Sequence, residues 1–501
     1  MPLTLYNTLT RQKSAFIPLE AHQVKIYCCG VTVYDYCHLG HARSYIAWDT
    51  VRRYLEWRGY EVRYVQNFTD IDDKILKRAR EENSSMDAVS EKYIAAYFED
   101  MDRLNIRRAN EYPRATHTID GIKRLIHELE AKGAAYASQG DVYYSVRSKS
   151  DYGKLSGRKL EDLEAGASGR VDAEESKKRD PFDFALWKAA KSDEPYWESA
   201  WGNGRPGWHI ECSAMVRDRL GDSIDIHCGG GDLIFPHHEN EIAQSEAVTG
   251  QQLATYWMHN GMVNVGGVKM SKSLGNFTTI RDLLDQGHIE PMAMRFFVLG
   301  AQYRKPIDFT EEAMTAATNG WHTLQDAMRF STVGKDKLGW VLDSSWDLGK
   351  SLVESSGKNW ADRSRDQLDT GAIESFQLAM DDDFNTASAL AVLFDLAKGI
   401  NREANQLIHQ GTIDIDAQTL LTTWKTLLVL ASVLGLQGEA AIEATPSKLS
   451  PEAIETAIAK RSAAKAAKDF KTADQVRNEL KAQGILLVDQ PGGVTSWHFE
   501  A

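Results

Sequence analysis

The chain has 501 residues, too many for one ordinary core, and this length predicts about three or four domains. Its composition, 43% hydrophobic and 26% charged, is typical of a soluble globular protein, and no window approaches the roughly 18 apolar residues of a membrane span. The net charge of −13 excludes an indiscriminate polyanion binder but leaves room for a local basic face. Five cysteines are too few for a disulfide framework, and no secretory signal precedes them, so a cytoplasmic enzyme is expected.

The N-terminal third alternates between strand and helix patterns. Residues 24–35, VKIYCCGVTVYD, are rich in β-branched and aromatic side chains and predict buried strand. Apolar residues then recur at helical spacing up to Gly59, which predicts a helix. Residues 61–82 predict a second strand and helix, capped by Thr69 or Asp70. This alternation favours a parallel α/β sheet.

The remaining chain divides into an insertion, a second α/β stretch and a helical region. Between about 110 and 200, residues 112–136 predict a helix and 140–146 a strand, within a charged insertion. The α/β pattern returns in 207–235. Beyond about 310 the chain is helical, with a connecting loop expected near 355–370 and one apolar helix face formed by Leu390, Leu393, Phe394 and Ala397.

The C-terminus carries a basic segment in an acidic protein. Residues 460–481 contain seven Lys or Arg against three acidic residues. A solvated helix face and a nucleic-acid contact are both consistent with this charge. Residues 484–500 follow and predict two short strands about a turn.

A first nucleotide-binding candidate is HLGH, where a strand meets the start of a helix. Backbone N–H groups and the positive end of a helix dipole favour phosphate there. His38 and His41 can donate to phosphoryl oxygens, and Gly40 leaves room for a nucleotide. Four residues alone are weak evidence, because isolated histidines are more often structural.

A second candidate is KMSKS, residues 269–273, which follows a Gly-Gly turn. Lys269 and Lys272 lie three apart among small residues, a pattern that suits cations closing over a triphosphate. One lysine pair alone indicates only an exposed basic loop. Together with HLGH, about 230 residues upstream, it indicates adenylyl transfer.

These two motifs resemble the HIGH and KMSKS motifs of class I aminoacyl-tRNA synthetases. The segments YCCGVTVYDYCHLGHARSY, NFTDIDDKI, GWHIECSAM, FPHHENEIAQS and KMSKSLGN together resemble the cysteinyl-tRNA synthetase family. The resemblance implies activation of L-cysteine by ATP with Mg²⁺, then transfer to tRNA(Cys), by a cytoplasmic monomer without membrane association. His38, His41, Lys269 and Lys272 would be catalytic and, with Gly40, would bind ATP.

The implied fold class is α/β, a Rossmann-type parallel-sheet catalytic domain with an insertion, followed by a helical bundle and a small C-terminal module. The predicted segments are the first catalytic half at 1–110, the insertion at 111–203, the second catalytic half at 204–260, the KMSKS connecting segment at 261–315, the helical bundle at 316–440 and an anticodon-binding module at 441–501.

The stretch FPHHENE offers metal ligands or an ordinary polar helix start. Pro236 fits a first helical turn, so His237 and Glu241 would face the same way, while His238 and Glu241 form a competing pair. Cys29 and Cys212 can converge with them at the sheet edge, and two thiolates, an imidazole and a carboxylate suit Zn²⁺.

The family resemblance selects one Zn²⁺ per chain, held by Cys29, Cys212, His237 and Glu241, with His238 excluded. A thiolate-binding metal would then discriminate cysteine from serine, which packing alone separates poorly.

The resemblance also implies a cysteine pocket, although each of its residues alone is more often structural. Asp232 would pair with the substrate ammonium, Thr69 and Trp208 would form walls, and His227 would lie close by. Cys228 stands where a glycine is expected and is a bystander, an alternative ligand or an oxidation-sensitive site. The two remaining cysteines, Cys28 and Cys37, are expected to be packing residues.

Two other functions compete. A cysteine ligase of the mycothiol pathway shares these motifs but uses an amino-sugar acceptor and lacks a C-terminal tRNA-reading region. About 190 residues follow the second motif here, which favours tRNA. A nonenzymatic tRNA-binding or zinc-storage protein is the other alternative, and the intact histidines and lysines of both motifs argue against it.

Overall fold

The structure is a computed structural model that describes residues 2–162, 177–192, 194–270, 276–342, 368–438, 451–467, 469–481, 485–489 and 495–499. The chain divides into two compact units, Met1–Trp346 with Ser351–Gln437, and Asp347–Lys350 with Gly438–Ala501. Among the described residues, no helix combines the length and apolar character needed to cross a lipid bilayer.

The helices and strands have the following bounds. The helices are α1 Leu39–Trp57, α2 Asp73–Glu81, α3 Met86–Arg103, α4 Ile119–Ala131, α5 Trp208–Leu220, α6 Glu239–Thr249, α7 Pro291–Leu299, α8 Glu311–Arg329, α9 Ser331–Leu338, α10 Thr370–Asp381, α11 Thr386–Gln410, α12 Ala417–Val433, α13 Pro451–Ala466 and α14 Phe470–Lys481. The strands are β1 Thr4–Asn7, β2 Gln12–Ala15, β3 Gln23–Thr32, β4 Glu61–Thr69, β5 Ala135–Ser138, β6 Asp141–Tyr144, β7 Phe184–Ala189, β8 Gly204–Pro206, β9 Ile224–Gly230, β10 Ala254–Asn260, β11 Val263–Val265, β12 Val268–Lys269, β13 Ile307–Phe309, β14 Ile485–Asp489 and β15 Thr495–Phe499.

A four-stranded parallel sheet in the order β10-β9-β3-β4 forms the centre of the first unit. Tyr27 pairs with His227, and Cys28 with Cys228, across β3 and β9. The strands are apolar because helices cover the sheet, as is usual for parallel sheets. The predicted α/β fold is confirmed. Parallel strands place all their carboxyl ends at one edge, where such folds bind ligands.

One local prediction at this edge is wrong. The side chain that caps α2 is Asp72, which accepts from the backbone N–H of Lys74, and neither Thr69 nor Asp70 does so. Pro236 follows Phe235, whose extended backbone (φ −140°, ψ 132°) interrupts the turn Ile234–His238, and helical backbone continues from Pro236 into α6. Pro236 therefore lies in a first helical turn, as predicted.

The insertion carries a separate antiparallel sheet in the order β5-β6-β7-β8. Its core joins α4 to β6 and β7 through buried Ile122, Leu125, Val142 and Trp187. The helix predicted at 112–136 is shorter, α4 at 119–131, because residues 135–138 form β5, and the strand predicted at 140–146 is β6 at 141–144. Part of the charged run, residues 163–176, lies outside the described residues.

The region beyond residue 310 is helical, as predicted. In α11 the residues Leu390, Leu393 and Ala397 are buried, and Phe394 packs edge-on against Phe296 of α7. Most of the loop expected near 355–370 lies outside the described residues, which resume at 368.

In the second unit, α13 and α14 pack with the antiparallel pair β14 and β15. Its small core contains Ile454, Ile458, Val476, Leu480 and Ile485. The two predicted short strands are therefore confirmed, and the basic segment covers the end of α13 and all of α14.

Candidate active site

His38 and His41 lie at the start of α1, directly beyond the end of β3. His38 is the N-cap: its Nδ1 accepts from the backbone N–H of Gly40 at 3.0 Å, while its own N–H donates to Nδ1 of His41 at 3.2 Å. The two rings stack at 3.6 Å. A Cβ at Gly40 would stand 2.9 Å from the His38 ring, so this packed pair requires glycine.

Met270 of the second motif and residues that follow this motif contact the first motif. The Met270 methyl lies 3.5 Å from the position of a Cβ at Gly40, and the Phe277 ring packs edge-on against His38. The N–H of Ile280 donates to the carbonyl of Cys37 at 2.9 Å. Lys269 is exposed on β12, whereas Lys272 lies outside the described residues, which break between 270 and 276.

A buried group of thiols, imidazoles and a carboxylate lies at the same sheet edge. Cys29 belongs to β3, Cys212 to α5 and Glu241 to α6, and His237 belongs to the turn before α6. The two sulfur atoms are 3.9 Å apart, Cys29 Sγ is 3.6 Å from Glu241 Oε1, and His237 Nε2 is 3.1 Å from the same oxygen. The structure thus brings these four side chains together.

This donor set fits a zinc ion. Ligands bound at about 2.0–2.3 Å to a tetrahedral Zn²⁺ lie roughly 3.3–3.8 Å apart, close to the observed separations. All four ligand atoms lie within 4.8 Å of one another and all four residues are buried. His237 Nδ1 meets Nδ1 of His209 at 3.0 Å, an outer contact of the kind that orients metal-binding imidazoles.

The charges within the group favour a thiolate at Cys212. A hydrogen bond from the Cys29 thiol, together with His237, outweighs burial and the Glu241 carboxylate and lowers the pKa of Cys212 to about 6. Burial lowers the pKa of His237, but the Glu241 carboxylate and Cys212 outweigh it and raise that pKa to about 10. Burial raises the pKa of Glu241, but His227 and His237 outweigh it and lower that pKa to about 2.

A second, overlapping ligand set combines Cys29, His227, His238 and Glu241. His227 Nε2 is 2.9 Å from Glu241 Oε2, and His238 Nε2 is 3.3 Å from Cys29 Sγ and 4.0 Å from Glu241 Oε1. Sequence spacing indicated the His238 and Glu241 pair of this set but not His227, which reaches Glu241 only through tertiary packing. Geometry alone therefore leaves both histidines of the pair as ligand candidates.

The four predicted cysteine-pocket residues lie in different surroundings. Trp208 begins α5, and its ring packs 4.3 Å from that of His237. Thr69, at the end of β4, has its hydroxyl 3.1 Å from Glu211 Oε2. His227 is fully buried and stacks on Trp257 at 4.4 Å. Asp232 is exposed in the short turn after β9.

The other three cysteines are buried packing residues. Cys28 faces Cys228 across β3 and β9, and their proximity adds to the effect of burial in raising the pKa of Cys228. Among the described residues, neither metal-competent group includes Cys28, Cys37 or Cys228. Packing, the role expected for Cys28 and Cys37, also accounts for Cys228.

Sequence reasoning missed Glu211 and His259. Glu211 is buried beside Cys212, and burial raises its pKa well above the ordinary value, with Cys212 adding to the effect. His259 lies on β10, 2.8 Å from His238 Nδ1. For His259 the available signal was a histidine in a strand that is otherwise largely apolar, whereas Glu211 gave none, because α5 contains several charged residues.

Comparison with known proteins places the chain in a family. Residues 15–319 match the family described as tRNA synthetases class I (C) catalytic domain, and residues 375–437 match the DALR domain. The cysteine–tRNA ligase of Synechococcus elongatus is 64% identical over 498 residues, with 99% of each chain covered. The chain belongs to the cysteine–tRNA ligase family. Cysteine–tRNA ligases of Gloeothece citriformis and Trichodesmium erythraeum are 62% and 61% identical, with 99% of this chain and 100% of theirs covered.

Solved class I synthetases share the fold of this family member. Methionyl-tRNA synthetase of Mycobacterium tuberculosis, solved with methionyl-adenylate, has a TM-score of 0.54 at 16% identity and covers 82% of this chain and 89% of its own. A putative arginyl-tRNA synthetase of Campylobacter jejuni has a TM-score of 0.52 at 14% identity, with coverage of 83% and 94%. At these identities the likeness concerns the fold.

Proposed function

We propose that the protein ligates L-cysteine to tRNA(Cys) in two ATP-dependent steps, through a cysteinyl adenylate. The observation that carries this proposal is a buried Cys-Cys-His-Glu group at the same sheet edge as the HLGH junction, with Cys29 on β3 and HLGH at the start of α1, the next helix along the chain. A site for a thiol substrate and a site for phosphate thus lie on one strand and its continuation. Family membership supports the same activity.

In the first step the cysteine carboxylate attacks the α-phosphate of ATP in line, and pyrophosphate leaves. His38 and His41 would donate to phosphoryl oxygens at the start of α1, and Gly40 keeps that approach open. Lys269 and Lys272 would stabilise the charge on the leaving pyrophosphate, with Mg²⁺ accompanying ATP. In the second step the terminal ribose hydroxyl of the tRNA attacks the carbonyl, so catalysis is positioning and charge stabilisation.

We infer that Cys29, Cys212, His237 and Glu241 hold one Zn²⁺, and that His238 does not bind it. The distance of 3.9 Å between the Cys29 and Cys212 sulfur atoms supports this choice, because Cys212 belongs only to the first ligand set and brings a second thiol to the metal. The bound metal would hold the substrate as a thiolate and so reject serine. Asp232 would pair with the substrate ammonium, and Thr69, Trp208 and His227 would line the pocket.

We infer the six segments given above as the domain organisation, with tRNA contacts in 441–501. Relatives named as cysteine–tRNA ligases, matched over 99% and 100% of their own length, favour tRNA over an amino-sugar acceptor. We propose a monomer, since one chain supplies all four candidate metal ligands and the site needs no second copy. Five cysteines without a disulfide support a reducing compartment such as the cytoplasm.

Pyrophosphate exchange measured together with zinc content tests the proposal. We expect cysteine-dependent exchange between pyrophosphate and ATP, one zinc per chain, and charging of tRNA(Cys). Absence of exchange in zinc-replete protein would leave only a binding role. Charging of glucosaminyl-inositol without charging of tRNA(Cys) would establish the mycothiol-type ligase instead.

A further inference from the structure

A continuous chain of hydrogen bonds connects the surface hairpin of β1 and β2 to Cys29. Thr8 Oγ1 is 2.8 Å from His259 Nδ1, His259 Nε2 is 2.8 Å from His238 Nδ1, and His238 Nε2 is 3.3 Å from Cys29 Sγ. His238 and His259 are buried, and Thr8 is partly buried. Each imidazole uses both nitrogens in this chain.

The outer end of the chain is fixed by the backbone. The N–H of Thr8 donates to the carbonyl of Trp257 at 2.9 Å, which ties the hairpin to β10, the strand that carries His259. Thr8 and His259 therefore keep their relative position without help from the metal group. The hydroxyl of Thr8 is an anchor and is not part of any ligand set.

The chemistry of neutral imidazole determines which atom donates in each hydrogen bond of this chain. A neutral ring has one N–H donor and one acceptor nitrogen. A thiolate at Cys29 accepts only, so His238 Nε2 must carry the hydrogen, His238 Nδ1 must accept from His259 Nε2, and His259 Nδ1 must accept from the Thr8 hydroxyl. If Thr8 cannot donate, the buried acceptor at His259 is left without its partner, at a cost typical of an unpaired buried polar group.

We propose that Thr8, His259 and His238 form an orienting chain that holds the Cys29 thiolate toward the metal, with His238 as a positioning residue. This inference rests on the proposed function, because it assumes that Cys29 is a zinc ligand. It assigns a role to the second histidine of FPHHENE and extends the metal site to a threonine three hydrogen bonds away. Loss of such outer contacts typically weakens metal binding about 10- to 100-fold.

Substitutions of Thr8 in the full-length protein test the chain of hydrogen bonds, and the affinity for metal is the quantity measured. Zn²⁺ is removed and its affinity measured by competition with a chromogenic chelator, and Co²⁺ is bound to report coordination by its visible spectrum. Thr8→Val, which keeps the shape and removes the hydroxyl, should weaken zinc binding about 10-fold. The tetrahedral cobalt bands should remain, with a shifted thiolate-to-cobalt band. Thr8→Ser should restore wild-type affinity.

Thr10→Val is the matched control, because Thr10 lies in the same hairpin with its hydroxyl on the carbonyl of Asn7. It should bind zinc like wild type. His238→Gln, whose amide can still donate to Cys29, should keep the tetrahedral cobalt bands, whereas His237→Gln should lose them.

Two results would overturn the orienting chain: unchanged zinc affinity in Thr8→Val, or loss of the tetrahedral bands in His238→Gln. The second result would make His238 a ligand. Failure of the wild-type protein to bind zinc is a separate outcome, which would overturn the metal site of the proposed function itself.

Discussion

Cys212 supplies the second thiol of the metal group, and its replacement by serine separates metal binding from fold. Serine is nearly the same shape, but its hydroxyl is a far harder and less acidic ligand. We expect Cys212→Ser to lose stoichiometric zinc and, with it, the preference for cysteine over serine in pyrophosphate exchange. Metal analysis and the ratio of kcat/KM values measure the two effects. Cys228→Ala is the control and should retain zinc, and full zinc in Cys212→Ser would refute the ligand assignment.

Lys272 tests the role of the second motif in the transition state. A cation that acts only as pyrophosphate leaves should change the rate of adenylate formation and leave cysteine binding nearly intact. We therefore expect Lys272→Ala to slow adenylate formation by orders of magnitude with little change in KM for cysteine. Rapid-quench measurement of the first turnover checks this. Lys335→Ala, an exposed lysine on α9, should behave like wild type, and near-normal rates in Lys272→Ala would remove the proposed role.

At the scale of elements, Asp72 decides where α2 begins. Its side chain accepts from the N–H of Lys74 at 2.9 Å, which satisfies a donor that the helix leaves unpaired. We expect Asp72→Ala to lower the free energy of unfolding of the unit that contains it by about 1 kcal/mol. The midpoint of urea unfolding measures it. Asp87→Ala, exposed in the first turn of α3 where Ser85 is the cap, should change stability less, and equal effects would contradict the capping role.

The predicted cap was wrong because tertiary contacts had already engaged both candidates. The hydroxyl of Thr69 meets Glu211, and the carboxylate of Asp70 accepts from the backbone N–H of Thr116 at 3.0 Å. Sequence spacing identifies polar residues that can cap, but it does not show which of them a distant segment occupies. The sequence therefore predicts that this helix exists but not the residue at which it begins.

In the site too, the sequence predicted contacts between residues close in the chain but not contacts between distant segments. Residues four apart near a helix start, His237 and Glu241, were predictable neighbours, and the structure confirms their contact at 3.1 Å. The approach of His227 to Glu241 depends on how α6 packs on the sheet, and that of His259 to His238 on the register of β10. Contacts set by packing between distant elements leave no local pattern in a single sequence.

At the scale of the molecule, Arg295 joins α1 and the end of α3 to the helical region. It is fully buried on α7, donates to the carbonyls of Leu434 at 2.8 Å and Leu104 at 2.9 Å, and pairs with Asp49 of α1. We expect Arg295→Met to destabilise the first unit by about 1–3 kcal/mol, because two buried carbonyls lose their donor, whereas Asp49 keeps its ion pair with Arg53 at 2.7 Å. Thermal unfolding measures this. Arg402→Met is the control, because the Arg402 side chain that pairs with Glu403 is largely exposed. Equal shifts of the unfolding temperature in the two variants would contradict the proposed role of Arg295.

Removal of the second unit tests whether adenylation and tRNA binding depend on different parts of the chain. Its basic segment, 460–481, carries seven Lys or Arg against three acidic residues in a protein of net charge −13, and phosphate contacts provide most of the affinity of nucleic-acid binding. Ending the chain at Gln437 removes that segment and leaves every candidate ligand and motif residue in place. We expect pyrophosphate exchange to stay near wild type, while the KM for tRNA(Cys) rises at least tenfold.

Salt dependence gives a second measurement on the same two proteins. The KM of the full-length protein for tRNA(Cys) should rise with salt concentration. The KM of the truncated form should depend on salt less, because fewer counterions are released when fewer phosphates are neutralised. Unchanged charging after truncation would place the tRNA contacts within the first unit, and loss of exchange would show that adenylation depends on residues beyond 437.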